Sequence, residues 1–370
     1  MREVIVGADG KAKGVLFIDK TTGREGHAKG RVVVLAAGAM ESVRLLLNSK
    51  SNLFPHGIAN SSGKVGKYIT DSVSSSLSAH IPAFEGMPVH NEDGAGGPHA
   101  YVPWTLLAQN RHGELGFPGG YHLEFTSGRQ MPAMNVVSSI DSRAGSASVL
   151  YGKKLKEEAR RFHGCQLGFG AQGTMVPNDD CYAELDPDLK DQWGIPVLRF
   201  HWKWSEFELN QAKHQQKRIR GLLEALGGRI AAKAETDPAK LIRQGGTVIH
   251  EVGGAIMGAD PKKSVTNQWC QTWDVKNLFV TDGGPFASNA DKNPTLTIMA
   301  LAWRAADHLI EQAKQYARTL RREAVPTLWN GLDAACAKAA RSFTRFVHRL
   351  ARHRPLKAQS HQGLHPTQGM

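Results

Sequence analysis

Cysteine is scarce in this chain. The four cysteines, Cys165, Cys181, Cys270 and Cys336, form no CxxC pair, and their spacings suit no common zinc site. They read as buried or free thiols, and no metal site is expected. Long apolar runs are absent too: none approaches the roughly 18 residues that span a bilayer. The opening MREVIVGADGK lacks the basic region and apolar core of a secretory signal. No internal repeat is found. Acidic residues are also short, 34 Asp and Glu against 46 Lys and Arg, for a net charge of +12. That excess suggests a nucleic-acid binder until it is mapped. From Glu311 to Met370 eleven Lys and Arg face three Asp and Glu, so +8 of the +12 lies there. The body of the chain is near neutral, and no nucleic-acid partner is expected.

Hydrophobic residues at 41% and charged residues at 22% are ordinary for a globular protein, and 370 residues suit two domains. Over residues 2–35, EVIV, GVLFID and RVVVLAA alternate with the turns ADGK and TTGREG, which predicts strands. RVVVLAAG is apolar on both faces, as a buried central strand would be. AMESVRLLLNS follows as a short helix. From about 72 to 245, SVSSSLSAHIPAF, YHLEFTSG, AMNVVSSI, CQLGFGAQGTMV and PVLRFHWKW read as strands separated by long polar connections. WSEFELNQAKHQQKRIRGLLEALGG is an amphipathic helix with Ser205 as cap and Gly227 and Gly228 as its end. NLFVTDGG reads as a buried strand. In the last helix Leu296, Met299, Trp303, Ala306 and Ile310 recur at helical spacing and mark one apolar face.

Three segments carry chemistry. Asn293-Pro294 suits a helix start, with Asn as cap and Pro in the first turn; free N–H groups and the helix dipole there attract negative charge. GGTVIHEVGGAIMGAD, residues 245–260, sets His250 in a strand-like segment ahead of Gly253-Gly254, which permit close backbone approach. A neutral imidazole can take a proton near neutral pH. VTDGGPF, residues 280–286, ends a strand in Asp282 and two glycines, a common ligand position in α/β folds. Taken singly, each has an ordinary reading: a helix cap, a structural histidine, a turn.

In order, H-x-x-G-G, D-G-G and N-P-T-L-T-I-M-A-L-A closely resemble the carboxy-terminal half of the glucose–methanol–choline (GMC) oxidoreductase family. AAGAMESVRLLLNSKS, residues 36–51, resembles the family's second signature, with Val43 where Pro is usual and no Gly after Ser49. NSSGKVGKYITD and AELDPDLKDQWGIPVLRFHWKWS are similar to later family segments, so the resemblance runs from about residue 2 to 312. It implies a mixed α/β (α+β) fold: part of an FAD-binding Rossmann-like domain, residues 1–71 and 246–312, with an inserted antiparallel-sheet substrate domain, 72–245, and a basic tail, 313–370. It implies FAD as cofactor and an alcohol or sugar as substrate, with the electron acceptor open. His250 would take the substrate hydroxyl proton, and Asn293 would orient the substrate oxygen. Asp282 and Gly283 would lie by the ribityl chain and pyrophosphate, Pro294 and Thr295 at the flavin ring edge, and Ala37 and Gly38 along the cofactor's other side.

The family's G-x-G-x-x-G fingerprint, which holds the pyrophosphate, is missing from its place. Gly168-x-Gly170-x-x-Gly173 matches the pattern, but Pro177 follows too soon for a helix to open there. The fingerprint is expected to precede Met1, which makes the chain a fragment of a longer flavoprotein. One alternative is an inactive fragment that has lost its flavin site. Another is a membrane or nucleic-acid binder acting through AACAKAARSFTRFVHRLARHR, residues 334–354, although the first reading of that segment is a solvated extension.

Overall fold

The structure, a computed structural model, describes residues 1–87, 99–103, 110, 112–127, 151–231 and 235–323. AMNVVSSI, Cys336 and the segment 334–354 lie outside the described residues. Two units are separated by their internal packing, Met1–His308 and Leu309–Met370.

The first unit opens on an antiparallel meander, β1 (Glu3–Val6), β2 (Ala12–Ile18) and β3 (Glu25–Lys29). β4 (Val33–Leu35) leads into α1 (Ala39–Asn48), and Gly38 makes the junction with φ +92, a conformation that costs glycine nothing. β4 pairs in parallel with β11 (Leu278–Val280), and Val280 aligns with Leu35. Val33, Leu35, Val43, Leu46, Leu278 and Val280 make the heart of one hydrophobic cluster. The expectation that β4 is buried on both faces fails at its middle residue: Val34 is 49% exposed. Its Val-rich run signals a strand, but a run cannot specify how many neighbours cover it.

A second layer is a four-stranded antiparallel sheet in the order β5-β8-β7-β6, built from β5 (Val73–His80), β6 (His99–Val102), β7 (Tyr121–Ser127) and β8 (Gln166–Gly173). β8 alternates partly and fully buried residues and is hydrogen-bonded on both sides. The Gly168-x-Gly170-x-x-Gly173 pattern therefore lies inside a central strand, with its amides committed to the ladder. α2 (Gly152–Phe162) precedes β8. The hairpin β9 (Tyr182–Lys190) and β10 (Pro196–His201) leads to α3 (Glu206–Ala225), which packs over β5 and β8. Ser205 and Glu208 form a capping box at its start. Ile219 and Leu223 of α3 join Tyr121, Leu123, Phe169 and Ala171 of the sheet in a second cluster. α4 (Pro238–Leu241) is a single short turn.

The last helix, α5 (Thr295–Glu323), begins where expected, but it turns a different face inward. Between Thr295 and Gln315 its buried residue is Ala305, whereas Leu296, Met299 and Trp303 are 78%, 63% and 63% exposed. Helical spacing correctly finds an apolar stripe; burial depends on what stands opposite, and that information is not local. Cys165, Cys181 and Cys270 are buried free thiols, and burial raises the Cys270 thiol to about 11. Among the described residues no helix is long and apolar enough to cross a membrane, and no cluster of three His, Cys, Asp or Glu could hold a metal.

Candidate active site

Parallel strands that end in register set their following turns side by side. β4 and β11 do so, joined beyond their ends by the Thr281 amide donating to the Leu35 carbonyl at 2.8 Å. Ala37 and Gly38 lie exposed in the first turn, while Asp282 and Gly283 lie buried in the second. The Asp282 carboxylate bridges the turns: Ser42 of α1 donates its hydroxyl to Oδ2 at 2.5 Å, and the Gly284 amide donates to Oδ1 at 2.9 Å. Burial still prevails and holds the Asp282 carboxyl above the usual carboxylate range. No open space stands in front of Gly283, where an added Cβ would meet Val252, the Glu251 carbonyl and Ala39 at 3.1–3.4 Å. At Gly38 a Cβ would meet nothing within 4 Å.

His250 is not on a strand, contrary to the sequence expectation. Its segment is an irregular loop, because a buried carboxylate competes for the amides a strand would need. Asp71 accepts hydrogen bonds from the amides of Gly246, Val248 and His250 at 3.1, 3.3 and 3.2 Å, and from Ser72 at 2.7 Å. Ile249 is bent to φ +61 and stands 81% exposed, a conformation a β-branched residue adopts only when its surroundings force it. Beyond His250 the chain is sewn in on both sides. Thr70 and Val252 exchange backbone bonds, the Gly253 amide reaches the Gly283 carbonyl at 3.0 Å, and the Gly254 amide reaches the Lys67 carbonyl at 3.1 Å. Gly253, at φ +93, stands so close to Tyr68 that a Cβ would lie 2.3 Å from its carbonyl oxygen.

The imidazole itself is 8% exposed and held at both nitrogens. Nδ1 lies 3.1 Å from Ser72 Oγ, and Nε2 lies 3.1 Å from Asn293 Nδ2. With the Asn293 amide as donor, Nε2 keeps its lone pair and Nδ1 carries the proton it gives to Ser72. Asn293 thus uses its side chain on His250 rather than on its helix. The first backbone bond of α5, Ile298 amide to Pro294 carbonyl at 2.9 Å, makes Pro294 the capping position, one residue later than expected. Thr295, Leu296 and Thr297 present that first turn outward beside the histidine.

The structure therefore brings His250 and Asn293 into direct contact, with Pro294 and Thr295 continuing from them. Ala37, Gly38, Asp282 and Gly283 gather separately, and the Gly253–Gly283 bond links the two groups. Asp71, Ser72 and Asn289, whose Nδ2 donates to the His250 carbonyl at 3.4 Å, were not singled out from the sequence. They contact partners 39 to 179 residues away, beyond any local pattern.

Residues 177–302 match the family model described as GMC oxidoreductase. The chain is 32% identical over 301 residues to the 2-methyl-1,2-propanediol dehydrogenase of Mycolicibacterium austroafricanum, covering 81% of this chain and 51% of that protein. It is 31% identical to the fructose dehydrogenase large subunit of Gluconobacter japonicus, covering 77% and 48%, and 28% identical to the gluconate 2-dehydrogenase flavoprotein of Pantoea cypripedii, covering 84% and 49%. It spans about half the length of these curated relatives. In fold it is similar to the formate oxidase of Aspergillus oryzae RIB40, with a TM-score of 0.56 at 14% identity over 85% of this chain and 60% of the oxidase. A match to the family's carboxy-terminal model and relatives that agree along most of this chain lead to one conclusion: the chain belongs to the GMC oxidoreductase family, as its carboxy-terminal portion.

Proposed function

We propose that this chain carries the reactive half of an FAD-dependent oxidoreductase that oxidises a CH–OH group of an alcohol or sugar. The observation that supports it most is the His250–Asn293 contact at 3.1 Å, made by a buried imidazole whose second nitrogen is fixed on Ser72. When substrate binds, the Asn293 amide passes from Nε2 to the substrate oxygen and orients it, which frees the His250 Nε2 lone pair to take the substrate hydroxyl proton. A bound flavin supplies the acceptor for the hydride. The residues present fit one side of that group. The exposed first turn of α5 offers unpaired N–H groups and positive potential beside His250. Gly38 leaves its turn open, with no Cβ in the way. Residues 1–71 and 246–312 form the flavin side and 72–245 the substrate side.

The pyrophosphate loop comes, in this reading, from a segment outside these 370 residues. The exposed Val34, Leu296, Met299 and Trp303 support that assignment, since they form apolar surface with no cover among the described residues. Purified as it stands, the chain is expected to lose added FAD on gel filtration; stoichiometric yellow protein would refute this part. In a form that retains flavin, reduction by 2-methyl-1,2-propanediol, fructose or gluconate is followed anaerobically by flavin absorbance. His250→Ala is expected to slow it about 10²–10⁴-fold, the usual worth of a positioned base. An unchanged rate would remove His250 from the chemistry.

A further inference from the structure

The loop between β11 and α5 is fastened at alternate residues. Asn289 holds the His250 carbonyl, Asn293 meets the His250 ring, and Asp291 between them reaches across to the four-stranded sheet. Asp291 Oδ2 lies 3.3 Å from His122 Nδ1, and His122 Nε2 lies 2.8 Å from Glu124 Oε1. The side chains of His122 and Asp291 are both 0% exposed. An imidazole nitrogen can bond a carboxylate oxygen only as a donor, so a ring with a carboxylate at each nitrogen carries both protons. His122 is thus an imidazolium inside the protein. The groups facing it among the described residues are Glu124 on its own strand, Asp291 and Lys292 on the loop, and the Tyr101 ring of β6 at 5.5 Å. Lys292 Nζ donates to the same Asp291 oxygen at 2.6 Å. The two cations and two carboxylates named here offset one another, which makes their burial tolerable. Asp291 Oδ1 is buried without a partner, so the carboxylate is held through Oδ2 by the two cations alone.

We propose that the His122–Asp291 ion pair is a positioning device that fixes Asn293 against His250 by tying its loop to the substrate-side sheet. The functional part rests on the reading of His250 and Asn293 given above; the structural part does not. Asp291 stands two residues before Asn293, and its carboxylate joins the loop to β7. The direction of titration agrees. Burial alone would lower the His122 value, but Asp291 and Glu124 outweigh it and raise it; Asp291 is lowered by His122 and Lys292 against its own burial. The pair therefore holds at acidic and neutral pH and releases as pH rises through the raised His122 value.

The test is nitrogen-15 NMR of histidine-labelled full chain, with the His122 signal assigned by His122→Gln or, should that variant not fold, by the shift it undergoes in Glu124→Gln. The His122 ring is expected to keep two protonated nitrogens at the pH where the histidines of the unfolded chain are half titrated. A neutral, single-tautomer pattern would overturn the proposal. In Asp291→Asn the Nε2 resonance of His250 is expected to move, whereas Tyr121→Phe, on the same strand as His122, breaks the part-buried 2.8 Å contact with His214 of α3 and should leave it in place. A His250 resonance unmoved in Asp291→Asn, or moved equally by both variants, would refute positioning. Neither readout needs flavin or substrate, so failure of the oxidoreductase reading would leave them intact. In a flavin-retaining form, Asp291→Asn should lower kcat by roughly 10²-fold, the scale of a small misplacement, with KM little changed. A rise in KM at constant kcat would instead make Asp291 a substrate-binding residue.

Discussion

The four-stranded antiparallel sheet and the parallel pair β4–β11 meet the demand for burial differently. The antiparallel sheet is finished by its own sequence: α3 lies across β5 and β8, and Ile219 and Leu223 are fully buried against it. An antiparallel sheet needs only one covered face. Parallel strands ordinarily need two; β11 has both, with Leu278, Phe279 and Val280 all buried, but among the described residues β4 has one. Leu35 and Val280 are fully buried, yet Val34, between Val33 and Leu35, is half exposed, and α5 shows solvent its more apolar side. The proposed reactive residues sit where the incomplete layer meets the complete one. His250 is held from the strand start at Asp71–Ser72, and Asn293 from the turn that follows β11. The comparison teaches that order at the site does not require the outer face of the parallel layer to be covered.

The comparison breaks most sharply inside β4. Leu35→Ala removes a fully buried side chain from the first cluster and is expected to cost about 2–5 kcal/mol, read by denaturant unfolding. A loss below about 1 kcal/mol would mean that the parallel layer is not a packed core. Next comes the seam between the layers. Gly253→Ala forces a Cβ against the Tyr68 carbonyl at a residue with φ +93, and several kcal/mol should be lost. Gly38→Ala carries only the conformational strain, because nothing lies within 4 Å of its Cβ, and about 1–3 kcal/mol is expected from the same unfolding curves. If the two glycines cost the same, the close approach at Tyr68 is not real.

Asp282 gives a pH-dependent version of the same contrast. Its folded value is raised by burial, so the folded state binds the proton more tightly than the unfolded chain. Ionisation of Asp282 therefore opposes folding, fully so above the raised value, and this effect vanishes below the unfolded value. Asp282→Asn should flatten the stability–pH curve across that acidic window. Parallel curves for the two proteins would show that Ser42 and Gly284 compensate its burial completely.

The elements were legible because their signals are local. Alternation and turn residues place β1, β2 and β4, and Ser205 marks the head of α3. The contact of His250 with Asn293 was anticipated only through resemblance, since 43 residues separate them. Asp71 and Asp291 were not legible at all. Each is an ordinary acidic residue in sequence, and each acts on a partner more than 160 residues away. Faces were the other failure. Val34 satisfies the same apolar pattern as Leu35, and the exposed Trp303 lies on the stripe that the buried Ala305 lies outside, so only the folded neighbours separate buried from exposed.

The smallest expected effect follows from that last point. Val34→Thr and Trp303→Gln alter side chains that are 49% and 63% exposed, so each should change unfolding stability by no more than about 0.5 kcal/mol. Their consequence should lie in association instead. Exposed apolar side chains without cover among the described residues favour contact with other apolar surface, including a second copy. Light scattering of the chain across a concentration series should therefore register more self-association for the unaltered protein than for the double variant. A stability loss comparable to that of Leu35→Ala would mean that this face is already packed within the chain. The two layers would then be equally complete, and the contrast between them would disappear.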